Sequence, residues 1–262
     1  MTLQCANVRI VAGDRVLLDG FSATFQPGRV TAILGPNGVG KSTLLSLLSG
    51  QRRPDGGAVL LDARPLSDYP AHTLALRRAV MPQESAVAFD FSVREVAELG
   101  RYPHRLQPDA DEQGIVTAAL AATDVADFSP RIFNTLSGGE KSRVHLARAL
   151  AQIWARRPDG AARWLLLDEP TAALDLAHQH QALGLLQHKA HTEGLGVMAV
   201  LHDLNLALRY ADDVLLMATH QSAVFGPIAE VLTPERMEHV WGVRCTPVRS
   251  AQGLLQYVFE PA

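Results

Sequence analysis

The chain has 262 residues, enough to bury a substantial core as one large domain or as a domain carrying an inserted subdomain. A net charge of −3, with 19% charged residues, lacks the basic bias of a protein that binds nucleic acid or anionic lipid. Cys5 and Cys245 lie near opposite ends without C-x-x-C spacing, which argues against a disulfide framework or a zinc site and fits a reducing compartment, the cytosol by default.

Residues 1–10 lack the basic start and apolar run of a secretion signal. No uncharged apolar stretch reaches the roughly eighteen residues of a membrane span, so any membrane role is expected to come through a partner. Residues 3–34 alternate short apolar runs with turn signals at Gly13-Asp14, Asp19-Gly20 and Pro27-Gly28, predicting a β-rich opening. The last run, residues 30–34, enters a glycine-bearing loop, and an apolar helical run leaves it over residues 43–48.

Inside that stretch Gly35, Pro36, Asn37, Gly38, Val39, Gly40, Lys41 and Ser42, followed by Thr43, satisfy G-x-x-x-x-G-K-[ST]. Glycines let the backbone wrap so that successive N–H groups point inward, and a helix starting near Lys41 adds its positive end. Polyphosphate is the natural guest, with Lys41 reaching the β and γ phosphates and the Ser42 hydroxyl holding Mg²⁺.

Further along, residues 50–57 read as a turn, 58–62 as a strand, 72–79 as a short helix and 80–83 as a strand end closed by Pro82. From Ser92 the texture is helical, over residues 93–100, 112–122 and 140–154. Strand and helix alternation then resumes: strand 163–168, helix 176–192, strand 195–201, helix 205–210, strand 214–217. Such a pattern predicts a mostly parallel sheet covered by helices, with ligands at the carboxyl ends of the strands. Residues 156–162 form an exposed loop, and the tail from His220 is expected to be a small hairpin and helix before a last strand near 254–259.

Leu136-Ser137-Gly138-Gly139-Glu140 precedes the long helix. Locally it is a capping box, with Ser137 as N-cap and Glu140 three residues on. Capping does not require two glycines, which cost about 1 kcal/mol each inside a helix; bare amides at a helix start are what an incoming phosphate uses. Residues 164–170 run as a buried strand into adjacent acids, Asp168 and Glu169. Alone this is as readily an ordinary solvated strand end; beside Lys41, Asp168 is placed to hold Mg²⁺ through water and Glu169 to polarise an attacking water. Gln83 and His202 end two further strands, and Asp175 is equally suited to cap the next helix.

In order and spacing, residues 35–42, Gln83, 136–140, 165–169, 173–175 and His202 resemble the Walker A, Q-loop, signature, Walker B, D-loop and H-loop of ABC-transporter ATPase subunits. The resemblance spans about residues 3–220. It implies an α/β P-loop NTPase fold with a mostly parallel core sheet, an N-terminal antiparallel β subdomain and an inserted helical subdomain. Residues 1–88 and 158–222 would form the nucleotide-binding core, 89–157 the helical signature subdomain and 223–262 a short extension. It implies ATP and Mg²⁺ as ligands, the metal held by Ser42, Gln83 and Asp168, with Glu169 as general base, His202 sensing the γ-phosphate and Gln83 linking the metal site to the membrane subunit.

The family further implies a head-to-tail homodimer in which Ser137, Gly138, Gly139, Glu140 and Asp175 of one copy close over the ATP held by the other. Transmembrane permease subunits, and indirectly a periplasmic substrate-binding protein, are the implied partners, with the chain on the cytoplasmic face of a bacterial inner membrane. Two departures stand out: Glu140 where Gln is commoner, and Ala12-Gly13 where an aromatic residue often stacks on adenine, so no adenine platform is assigned.

The short tail looks like that of importer subunits for iron chelates, haem and cobalamin, and residues 99–104, 156–162 and 174–179 resemble the haem branch. An exporter subunit is the runner-up, since the motor does not encode direction. A repair ATPase would carry a long coiled coil, a translation factor two ATPase units, and a small kinase no need for residues 136–140. His178, His180, His188 and His191 lie on one predicted helix, but only His188 and His191 share a face at i, i+3 spacing, and a solvated helix accounts for them.

Overall fold

The computed structural model describes residues 1–83, 87–219 and 222–261. In chain order it contains β1 (Leu3–Ala12), β2 (Arg15–Phe25), β3 (Val30–Leu34), α1 (Lys41–Leu48), β4 (Gly56–Leu61), β5 (Arg64–Pro65), α2 (Ala71–Ala75) and β6 (Arg78–Met81). Then come α3 (Val93–Glu98), α4 (Glu112–Ala122), α5 (Gly138–Gln152), β7 (Trp164–Asp168), α6 (Leu176–Glu193), β8 (Gly196–Val200), α7 (Leu204–Tyr210) and β9 (Asp213–Met217). The tail adds β10 (Ala223–Pro227), α8 (Ile228–Val231), α9 (Pro234–Trp241), β11 (Val243–Arg249) and β12 (Leu255–Pro261).

A six-stranded sheet in the order β10-β9-β3-β8-β7-β6 forms the centre, parallel from β9 to β6 with β10 antiparallel at one edge. Strands β3, β7, β8 and β9 are buried at every position, as a parallel sheet covered on both faces requires. Their alternate residues enter two different clusters. Ile33, Leu166, Met198, Val200 and Leu215 face α1 and the antiparallel sheet β2-β1-β4-β5; Ala32, Leu165, Leu167, Val197 and Val214 face α5, α6 and α7. Period-2 alternation thus builds both sides of the core from one sequence run.

A third cluster, holding Val93, Val96, Val116, Leu120 and Phe133, belongs to the helical region. Helix α5 joins the two: Leu146, Ala149 and Leu150 pack on the sheet side, while Val144, Ala147 and Ala151 pack into the helical cluster. Truncating Leu150, which is 1% exposed, to Ala would cost about 2 to 5 kcal/mol.

Four local expectations are corrected. The turn expected at Asp19-Gly20 is a bulge within β2: Val8 pairs with Phe21 and Ile10 with Leu18, and Gly20, at φ +68°, absorbs the extra residue. The helix expected over 72–79 stops at Ala75, because Arg78–Met81 is drawn into the parallel sheet beside β7. The helix expected over 93–100 ends at Glu98 and tightens into a 3₁₀ segment, Leu99–His104, that contains Pro103. The last strand has a partner in β11, whose Pro247 hides the strand signal and is tolerated in a two-stranded ribbon. His220, where the tail was expected to begin, lies outside the described residues. Among the described residues no helix is long and apolar enough to cross a membrane.

Candidate nucleotide site

The loop between β3 and α1 is built on backbone that only glycine tolerates. Gly35 has φ +147°, and a Cβ there would lie 2.2 Å from the Met217 carbonyl oxygen at the end of β9. Gly40, at φ +109°, is the N-cap of α1 and supplies no side-chain cap, so the first amides of α1 are left for a ligand. Lys41 is buried, and its ammonium donates to the carbonyls of Gly35 (2.8 Å) and Pro36 (3.1 Å). Burial lowers its pKa, against the opposing pull of Glu169 and Asp168.

The parallel register brings four strand ends to this loop. Asp168, the last residue of β7, accepts a hydrogen bond from the Ser42 hydroxyl at 3.1 Å. Burial pushes its carboxyl above the usual carboxylate range. The next residue, Glu169, sits at φ +52°, a left-handed conformation that costs a non-glycine residue about 1 to 2 kcal/mol. The twist sends the two acids apart. Glu169 Oε2 accepts from the Gln83 amide at 3.0 Å, and its Oε1 lies 2.7 Å from His202 Nε2. Sequence spacing alone cannot state these contacts, because Gln83 and His202 belong to loops following β6 and β8, on either side of β7.

One cavity of about 640 Å³ is lined by Asn37, Gly38, Gly40, Lys41, Ser42 and Thr43 of the loop and α1 together with Gln83, Glu169 and His202. Ser42, Gln83 and Asp168 offer hydroxyl, amide and carboxylate oxygens, the hard donor set Mg²⁺ takes, leaving its other positions to phosphate and water. The buried Asp168 carboxylate beside the Ser42 hydroxyl fits such an ion. Among the described residues no group of three or more His, Cys, Asp or Glu gathers as a metal cage.

Ala12, singled out in the sequence as the place where an aromatic residue is often found, does line the cavity, but sequence reasoning missed Arg15 and Leu17 of the same hairpin beside it. The hairpin signal at Gly13-Asp14 was visible, but only the pairing of Ala12 with Arg15 and the contact of Leu17 with Gly40 bring it to the loop. Pro36 and Val39 shape the loop, with Val39 N–H donating to the Pro36 carbonyl.

The remaining residues stand apart. None of Ser137, Gly138, Gly139, Glu140 and Asp175 lines the cavity. Ser137 and Glu140 form the expected capping box on α5, and backbone and hydroxyl donors from Ser137 hold the Glu140 carboxyl below its usual range. A Cβ on Gly139 would meet the Ala173 carbonyl oxygen at 2.9 Å, so this helix start is pressed against the loop that leads to Asp175. Asp175 caps α6 by accepting from the His178 N–H at 2.9 Å. Of the helix histidines, His178 meets Asp175, His180 the Tyr210 hydroxyl and His191 Asp212, so these three serve separate contacts.

A phosphate loop opening a helix, a buried acid at the end of a parallel strand of the same sheet and a glutamate held between an amide and an imidazole define a nucleoside-triphosphate hydrolase of the P-loop class. Within that class the chain belongs to the ABC transporter family, whose model matches residues 18–172. It is 47% identical over 249 residues to the hemin import ATP-binding protein HmuV of Gloeobacter violaceus, covering 94% of this chain and 90% of that protein. It is 45% identical over 241 residues to the protein of the same name from Pseudomonas aeruginosa, covering 92% of each. Among solved structures, a chain of an ABC transporter in an inward-facing conformation superposes with a TM-score of 0.81 at 27% identity, covering 100% of this chain and 97% of that one. The expected fold and ABC-type ATPase class therefore stand.

Proposed function

We propose that this chain is the motor subunit of an importer that carries haem through a separate permease, driven by ATP and Mg²⁺ at a head-to-tail homodimer. The observation that carries the ATPase reading is the Glu169 carboxylate, held by Gln83 and His202 in the cavity that Lys41 and Ser42 also line. Near-full-length similarity to proteins named for hemin import supports the cargo.

In this reading Lys41 exchanges the loop carbonyls for the β and γ phosphates, and the α1 amides receive the same charge. Ser42 and Asp168, with Gln83, would hold Mg²⁺, which supplies charge neutralisation on the phosphates when bound. Glu169 takes the proton of the attacking water, a role worth about 10² to 10⁴ in rate. His202, bonded to Glu169, orients it and faces the γ-phosphate; Gln83 ties the same carboxylate to the metal side. Ser137, Gly138, Gly139, Glu140 and Asp175, absent from the cavity of their own chain, act on the partner's ATP.

The apolar clusters support a core (1–88 and 158–222) and a helical subdomain (89–157) with α5 as the shared helix, whereas the C-terminal extension (223–262) is set off by chain order alone, its Val231, Met237 and Tyr257 packing into the core's own cluster. The chain would sit at the cytoplasmic face of the inner membrane, with a periplasmic binding protein delivering cargo to the permease.

The deciding experiment is reconstitution with the permease in liposomes, comparing haem, ferric siderophores and cobalamin on either side of the bilayer. ATP-dependent haem accumulation on the side of the ATPase supports the proposal. Preference for a siderophore or cobalamin reassigns the cargo, and movement in the opposite direction makes the chain an exporter subunit.

A further inference from the structure

Outside the nucleotide cavity, a second cavity of about 310 Å³ lies where the end of α4 meets α5 and α6. Its walls carry alanines and leucines, and the charged or titratable side chains lining it are Asp124, Arg143 and His178. Asp124 sits at φ +55° just after α4, and its carboxylate accepts from Arg143 Nη1 at 3.0 Å. Arg143 lies on α5, the helix that begins at Ser137, and also donates to the carbonyl of Asp124.

His178 completes a line. Its Nδ1 is 2.8 Å from Asp175 Oδ2, and its Nε2 is 3.5 Å from Asp124 Oδ2. A neutral imidazole carries one N–H, so it can offer a proton to only one of two carboxylates. The imidazolium offers a proton and a positive charge to both.

We propose that His178 is a positioning residue whose second proton ties the loop at Asp175 to Asp124 and Arg143, holding that loop and the α5 start as one rigid face toward the partner's nucleotide. This rests on the composite-site reading above. The two surfaces already touch: Gly139 abuts the Ala173 carbonyl, and the Ser142 hydroxyl lies 3.3 Å from the Pro170 carbonyl. The tie adds an ionic connection to that packing. Asp124 and Asp175 are mostly exposed, with His178 between them at 27% exposure, so the contribution is that of a surface ion pair, present while the imidazole carries both protons. The groups facing His178 are Asp175 at the start of its own helix, Asp124 after α4, and Arg143 of α5 through Asp124.

The test has two arms on the full chain. At saturating ATP and Mg²⁺, turnover of the wild type should exceed that of His178→Gln and Asp124→Asn by about two- to fivefold at pH 6 and converge with them by pH 8.5. A ratio that stays constant across this range overturns the proposal. Hydrogen exchange of residues 170–176 in the nucleotide-free chain reads the tie without a dimer: faster exchange in both variants at pH 6, with no difference from wild type at pH 8.5, supports it, and exchange equal to wild type at both overturns it. Wild-type turnover in Asp175→Ala would overturn the composite-site reading instead, leaving hydrogen exchange as the measure of the tie itself.

Discussion

Two helices of this molecule, α1 and α5, have glycine at their N-terminal ends, and those ends are built in opposite ways. Helix α1 has Gly40 as its N-cap, with no side-chain cap and no acid in its first turn, so its amides are left beside a cavity lined by Lys41 and Ser42, the latter bonded to Asp168. Helix α5 starts at Ser137 inside a capping box, carries Glu140 in its first turn and rests on the loop around Ala173, with none of its residues lining that cavity. A helix N-terminus is therefore a site only in context. The first leaves its amides open because the chain withholds its own cap; under the proposed function, the second acquires a use only when another molecule brings the phosphate.

The strongest way to break this comparison is to disable the chemistry and leave the grip. Glu169→Gln should lower turnover by about 10² to 10⁴, while ATP still binds and a dimer accumulates in light scattering. Wild-type hydrolysis would remove Glu169 from the reaction. Lys41→Ala attacks the grip itself: losing a charge-assisted contact to phosphate should weaken ATP binding about 10- to 100-fold by calorimetry. Unchanged affinity would mean that the α1 loop is not the nucleotide holder.

Gly139→Ala addresses the other helix. Its new methyl would meet the Ala173 carbonyl at 2.9 Å, and such overpacking costs about 1 to 3 kcal/mol. Turnover should fall about tenfold while ATP affinity, measured on the single chain, stays put; a matching loss of affinity would erase the distinction between the two helices.

The smallest effect concerns Asp168. Burial raises its carboxyl pKa, so between the ordinary and the raised value the folded chain binds more protons than the unfolded one, and stability falls as pH rises through that window. The penalty stands in full above it. Asp168→Asn should therefore raise the Tm of the nucleotide-free chain at pH 7 by about 1 to 2 °C, and at the same time weaken Mg²⁺-dependent ATP binding. A lower Tm would show that the hydrogen bond from Ser42 outweighs the burial of the charge.

How much of this was readable from residue order varies with the range of the interaction. The capping box at Ser137, the P-loop and the helix over residues 112–122 were legible because each is settled by neighbours within a turn. The misread places share the opposite cause. Gly20 looked like a turn because its bulge exists only by pairing with β1, and Arg78–Met81 looked partly helical because its strand exists only beside β7. Pro247 concealed β11 for the same reason, and Arg15 and Leu17 escaped notice because nothing local marks them.

The sequence by itself determined the phosphate loop, the order of strands and helices, and which residue types end the strands, since backbone freedom, capping and hydrophobic period act over a few residues. Tertiary structure alone decided that Gln83, Glu169 and His202 share one hydrogen-bonded cluster and that Ser137 stands outside their cavity. Parallel strands can be ordered in many ways, and only the packing of helices on both faces selects the neighbours whose ends converge.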